Sequence, residues 1–189
     1  MRTEIRIAGT GGQGAITVGQ ILGAAAALHD RKEAVVTEGY SPSITGGWSR
    51  ADVVVSDEPI DYPLVTKLDA LIAMYQGGLE SNARLVKPSG VIVAESQLVD
   101  VTRAKFDGRT YSIPAVAQAQ SLGKKVLTNI ILLGALLEVN PVVSKDSVEK
   151  TLVERFPAFA ELNIKALTSG SQLAKVAVTG ASQAKTVVG

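Results

Sequence analysis

The sequence predicts an α/β protein, a single Rossmann-like domain over residues 1–189 with a mostly parallel sheet flanked by helices and a helical C-terminal third. Two observations carry this. Short apolar or valine-rich runs alternate with longer helical patterns through the first two-thirds of the chain, the order that builds a parallel sheet covered on both faces. Between the first apolar run and the first helical pattern stands Gly9-Thr10-Gly11-Gly12-Gln13-Gly14. Strand, glycine turn and helix in that order make an anion-binding corner, because the glycines permit a tight turn and the helix start offers unpaired N–H groups.

Each element follows from local pattern. Glu4–Ala8 reads as the first strand, and Gly12–His29 as a helix burying Ile16, Ile21, Leu22 and Leu28. Ala34–Thr37 is a short second strand, the valine-rich Ala51–Ser56 a third and Asp69–Ala73 a fourth. Neither Tyr40–Arg50 nor Asp57–Tyr62 has a helical pattern, so the crossover from second to third strand is irregular and can place a strand antiparallel. A helix around Leu79–Leu85 is followed by a turn at Lys87-Pro88-Ser89-Gly90, a strand at Val91–Glu95 and a last strand at Arg109–Ile113.

From Pro114 the pattern is helical: Ala115–Leu122, Thr128–Val139, Lys145–Arg155 and Ala158–Thr168. Pro114 suits a first turn, where its missing N–H costs nothing. Asn140-Pro141 closes one helix and Ser144 caps the next. The tail from Ala174 to Gly189 has no clear periodicity and is expected to be flexible, or ordered only against a partner. No repeat or linker divides the chain, and 189 residues suffice for a substantial core.

Composition narrows the function. Hydrophobic residues make up 46% and charged residues 20% of the chain, with a net charge of +1. Nothing here attracts nucleic acid or a membrane surface in general. The pairs Arg31-Lys32 and Lys124-Lys125 read as solvated helix ends. The absence of cysteine excludes disulfides, thiolate metal sites, a cysteine nucleophile and iron–sulfur ligation by this chain. The charged start Met-Arg-Thr-Glu-Ile-Arg is no signal peptide and no apolar run spans a bilayer, so a cytoplasmic protein is expected.

Three readings compete for the first glycine run. In a dinucleotide site, Glu38 at the end of the second strand would bind ribose hydroxyls. Another phosphate-bearing ligand would use the same turn without the acid. A packing turn would bind nothing. A second pair, Gly46-Gly47 with Trp48-Ser49-Arg50, offers another glycine loop to the same ligand. Trp48 is either a contact residue or a core anchor, and Arg50 can meet phosphate or a carboxylate such as Asp52. His29, the single histidine, reads as a helix-end residue. No nucleophile–base pair or acid–base pair of carboxylates stands out, so the chain is expected to make no bonds by itself.

Five stretches together resemble the gamma subunit of 2-oxoacid:ferredoxin oxidoreductases. They are the Gly-Thr-Gly-Gly-Gln-Gly opening; Gly46-Gly47-Trp48-Ser49-Arg50 leading into Ala51–Asp57; Ile60-Asp61-Tyr62-Pro63 with Asp69–Met74; Ile113-Pro114-Ala115 with Gly123, Asn129 and Gly134; and Asn163–Leu167 with Gly170. The resemblance implies a subunit that is not catalytic alone. It would cover the active site and help bind coenzyme A as co-substrate during oxidative decarboxylation of a 2-oxoacid. Thiamine diphosphate, Mg and iron–sulfur clusters would sit on partner alpha, beta or delta subunits, with ferredoxin as acceptor.

The stretch Ile60–Pro63 is similar to 2-oxoglutarate-type members. The family often has Arg where this chain has Thr45. Under this reading Gly9, Gly11, Gly12, Gln13 and Gly14 line the coenzyme, Gln13 by its side-chain amide, and Ser41, Thr45, Gly46 and Gly47 form the opposite wall. Asn129, polar within an apolar helix, is expected to make a buried hydrogen bond. A stand-alone NAD(H)-binding Rossmann protein and a scaffold subunit without ligand are the alternatives.

Overall fold

The structure of the chain, a computed structural model, describes residues 1–42 and 47–186, with side chains as far as residue 179. Six strands are found among the described residues: β1 (Arg2–Thr10), β2 (Glu33–Tyr40), β3 (Trp48–Ser56), β4 (Leu68–Ala73), β5 (Val86–Glu95) and β6 (Arg109–Ile113). They form one sheet in the order β2-β3-β1-β4-β5-β6. The pairs β1–β4, β4–β5 and β5–β6 are parallel. β3 runs antiparallel to both neighbours, β1 and β2, so the irregular crossover does insert one reversed strand into a mostly parallel sheet.

Alternation along the strands sets two faces. Ile5, Ile7, Val53, Val55, Ile72 and Val93 face a layer built from α1 (Ala15–Ala24), α3 (Ala115–Ser121), α4 (Thr128–Val139), α5 (Lys145–Arg155) and α6 (Ala160–Thr186). Ala8, Leu71, Ala73, Ile92 and Ala94 face the other way, toward α2 (Gln76–Asn82) and Val99. α4 is the inner helix of the thick layer, and every residue from Asn129 to Leu137 is buried, as expected of a helix apolar all round. It crosses α6 where Gly134 and Gly170 bring the two backbones together; a Cβ at either would strike the carbonyl of Leu167 or Ile131.

Four local expectations are corrected. α1 starts at Ala15, not Gly12, because Gly12 and Gly14 hold positive φ of 85° and 75°. Its continuation, Ala25–His29, is a π-helical turn. That wider turn shifts the helix phase, so Ala25 and Ala26 meet the core while Leu28 is 68% exposed. The segment Lys87–Gly90 is an excursion within β5, not a turn before it: the pairing jumps from Leu68–Val86 to Ala70–Val91.

The tail reading also changes. α6 continues through Ala174 to Thr186, and Leu173, Ala174 and Ala177 pack on the core at helical spacing. The predicted cap of α5 is present, with the Ser147 N–H donating to Ser144 Oγ at 3.2 Å. No helix among the described residues is long and apolar enough to cross a membrane.

Candidate functional site

After β1 the chain turns to the thick helical layer through α1, and after β4 it turns to the opposite face through α2. The carboxyl ends of β1 and β4 therefore flank a topological switch point, where open α/β sheets receive ligands. The glycine loop lies there. Gln13 spans the crevice: its Oε1 accepts from the Thr10 N–H at 2.7 Å and its Nε2 donates to the Met74 carbonyl at 3.0 Å. The side chain expected to meet a ligand is thus engaged in holding the loop to both strands. Gly9 sits beneath, with a hypothetical Cβ 2.9 Å from Met74 Cε, and serves close packing rather than lining.

Above it the loop is open. A Cβ built on Gly12 would meet nothing within 4 Å. Gly14, in the left-handed conformation at the start of α1, lies against Asn129, whose Nδ2 donates to the Gly14 carbonyl at 3.3 Å. The Gln13 N–H returns to the Thr10 carbonyl at 3.1 Å. The N–H groups of Gly12, Gly14, Ala15 and Ile16 donate to no described residue, so the loop and first helical turn present a group of free donors. A phosphate or carboxylate suits them in charge and hydrogen bonding.

The second glycine run approaches the first because β3 begins where β1 ends, with Trp48 opposite Thr10. The Gly11 N–H donates to the Gly47 carbonyl at 2.8 Å, and Ser49 Oγ donates to the Thr10 carbonyl at 3.2 Å. Ser41 stands at this rim, its N–H donating to the Trp48 carbonyl at 2.8 Å. Its neighbour Tyr40 is the β2 residue that reaches the cavity. Thr45 and Gly46 lie outside the described residues.

The free amides open into a cavity of about 740 Å³ between the glycine loop and the C-terminal helical layer. Gly11, Gly12 and Gly14 line one end, with Ile16, Ser49 and Tyr40 beside them; the far wall is largely apolar, from Val126, Phe156, Phe159 and Leu162. Lys124 also lines it, its ammonium 4.2 Å from the centroid of the Phe159 ring. Sequence reasoning missed this wall. Lys124 and Phe159 are brought together only by the packing of the segments that carry them, and neither stands in a recognisable spacing.

Other candidates fall elsewhere. Trp48, 42% exposed, alternates with Ser49 and so faces away from the cavity, with the Arg50 guanidinium 5.6 Å from its ring centroid. Arg50 Nε lies 3.8 Å from Asp52 Oδ2. Asp52 is itself held in two short bonds by the buried Arg6, Nε to Oδ1 at 2.6 Å and Nη2 to Oδ2 at 2.7 Å. Glu38 accepts from Gln20 Nε2 at 2.7 Å. It lies on β2, and the interposed β3 separates it from β1, which removes the acid from the adjacent strand where a dinucleotide ribose needs it. His29 meets Glu154 at 3.3 Å, at the far end of α1.

Comparison with known proteins adds to this geometry. Residues 4–173 match the family model described as pyruvate ferredoxin/flavodoxin oxidoreductase. The 2-oxoglutarate synthase subunit KorC of Methanocaldococcus jannaschii is 41% identical over 178 residues, 93% of this chain and 95% of that protein. The crystal structure of a keto/oxoacid ferredoxin oxidoreductase gamma subunit from Geobacter sulfurreducens superposes with a TM-score of 0.82 at 37% identity, covering 94% of this chain and 98% of that one. A 2-oxoglutarate:ferredoxin oxidoreductase from Magnetococcus marinus, with 2-oxoglutarate, coenzyme A and succinyl-CoA bound, also gives 0.82, at 27% identity over 93% of this chain and 31% of that one.

Proposed function

The chain belongs to the pyruvate ferredoxin/flavodoxin oxidoreductase family as a gamma subunit of a 2-oxoacid:ferredoxin oxidoreductase, and from that premise we propose that it holds coenzyme A at the glycine loop and covers the active centre of a 2-oxoglutarate-oxidising complex. The observation that carries the coenzyme reading is the group of free N–H donors on Gly12, Gly14, Ala15 and Ile16, opening on a cavity at the switch point. The likeness to KorC supports 2-oxoglutarate as the oxoacid. The partner subunits carry thiamine diphosphate, Mg and the iron–sulfur clusters, and the complex works in the cytoplasm.

The residues present fit a phosphate-bearing ligand. The N–H groups of Gly12, Gly14, Ala15 and Ile16 have no described acceptor, and the approach over Gly12 is open, with nothing within 4 Å of a Cβ built there. With no cysteine, this chain supplies no thiolate to a cluster. When bound, coenzyme A supplies the thiol that accepts the acyl group at the thiamine centre of the complex. What this chain contributes is placement. The loop amides bind the phosphates, Gln13 and Asn129 fix the loop from two sides, and Gly47, bonded to Gly11, closes its outer edge.

Gly12 provides the test. Asn tolerates a positive φ, and Asp differs from it in charge with almost no change in shape. The tagged subunit, purified with its partners from its own cells, is assayed for 2-oxoglutarate oxidation with varied coenzyme A. Gly12→Asp is expected to raise KM for coenzyme A ~10-fold or more above Gly12→Asn, because a carboxylate then faces the phosphate site. Equal KM values for the two variants would remove the loop from the coenzyme site.

A further inference from the structure

The cavity is larger and more apolar than a phosphate site requires. Beyond the glycine loop its wall leaves Val126 69% and Phe159 52% exposed, an unusual concentration of uncovered apolar surface. Lys124 is the one cation lining it among the described residues, and no described carboxylate pairs with it. Its ammonium is instead held over the Phe159 ring at 4.2 Å. A cation fixed by an aromatic face keeps its charge free for an incoming anion and loses little side-chain freedom on binding.

Which end of a coenzyme would lie here follows from connectivity. The thiol must reach a reacting centre that this chain does not contain, so the thiol end has to leave the subunit. The end that stays is the adenosine with its 3′-phosphate. A purine suits the wall formed by Ile16, Phe156 and Leu162, and the extra phosphate suits Lys124.

We propose that Lys124, poised over Phe159, is a specificity-determining contact for the 3′-phosphate of a phosphoadenosine group seated in this cavity. The proposal rests on the coenzyme reading above and adds which end of the ligand this chain recognises and by which side chain. Lys124 acts on binding alone and takes no part in bond making.

The test compares coenzyme A with 3′-dephospho-coenzyme A in the purified, assembled complex. With the natural residue, removal of the 3′-phosphate raises KM ~10-fold, the scale of one charge-assisted contact. Lys124→Met raises KM for coenzyme A to the dephospho value and leaves the dephospho value where it was; Lys124→Arg keeps the preference. Adenosine 3′,5′-bisphosphate competes with coenzyme A in the unaltered complex and loses potency in Lys124→Met. If Lys124→Met shifts both substrates equally, or neither, the assignment of Lys124 is wrong. The Gly12→Asp and Gly12→Asn pair separates the two levels. If Gly12→Asp weakens coenzyme A and Lys124→Met does not discriminate, only this subsite fails. If both are silent, coenzyme binding by this chain fails with it.

Discussion

Asn129 donates a side-chain N–H to the Gly14 carbonyl at 3.3 Å, and the same amide occupies the place where a Gly14 β-carbon would go. The glycine is required twice, by its φ of 75° and by its neighbour. Gly14→Ala is expected to lose ~2–4 kcal/mol, from the left-handed conformation and the collision combined. Asn129→Ala loses about 1–3 kcal/mol by leaving the Gly14 carbonyl and the Ile130 N–H without that partner. Because the second change removes the obstacle created by the first, the double variant should fall short of the sum by about 1 kcal/mol. Urea unfolding of all four proteins decides it; strict additivity would mean the two residues do not communicate.

The crossing of α4 and α6 gives a second expectation. A methyl group at Gly134 or Gly170 would meet main-chain atoms, of Leu167 and Ile131 respectively, which cannot swing aside. Gly170→Ala should therefore cost about 3 kcal/mol or more and move the whole helix outward. The change in melting temperature measures it, and a loss under 1 kcal/mol would show that the helices can part without penalty.

The buried Arg6–Asp52 pair should behave asymmetrically. Arg6 also donates from Nη1 to Asn82 Oδ1 at 2.8 Å, so Asp52→Ala strands a guanidinium already fixed in place. A loss of ~3–5 kcal/mol is expected. Replacing both, Arg6→Met with Asp52→Leu, should recover most of that. Denaturation midpoints compare the two, and equal losses would contradict the pairing.

Acid sensitivity follows from Glu4. Burial pushes its carboxyl upward, but the N–H groups of Thr66 and Lys67 and the Arg2 guanidinium together outweigh it and hold its pKa below the ordinary value of 4.5. A carboxylate held low in the folded chain stabilises fully above its unfolded pKa and loses that contribution as pH falls through the folded one. Stability should thus be level above about pH 5 and decline below about pH 4.5. Glu4→Gln should flatten that decline while lowering stability at neutral pH. Unfolding curves from pH 3 to 7 read it directly, and an unchanged slope in the variant would exclude Glu4 as a source.

The sheet was legible where burial leaves a repeating signature. Ile5 to Ala8 and the valines of β3 announce themselves as strands, and the glycine loop was readable because positive φ has a residue-type signature. The reversed direction of β3 was legible only as an irregular crossover. The π turn at Ala25–His29 has no such mark, since its alanines suit an ordinary helix equally well, and Leu28 was misplaced with it. Pro88 and Gly90 suggested a turn where the chain makes an excursion inside β5. The tail of small residues hid a helix because, among the described residues, its apolar hold on the core comes from side chains as few as Leu173, Ala174 and Ala177. In the candidate site the loop was visible and the opposite wall was not. Lys124, Val126 and Phe159 acquire their relation to Gly12 only through the packing of the C-terminal layer on α1.

The central place of β1 bears on how the chain is made. Ile5 is paired between Val53 on one side and Ala70 on the other, so β1, the earliest of the described strands in chain order, waits for the third and the fourth strand to fill its two flanks. During vectorial synthesis its antiparallel partner emerges before its parallel one, and a β1–β3 ribbon with β2 can precede the β4 side. Until β4 emerges, one edge of the central strand stays open to other nascent chains. A protein destined for a multi-subunit assembly thus passes through a stage in which premature edge pairing competes with its own folding.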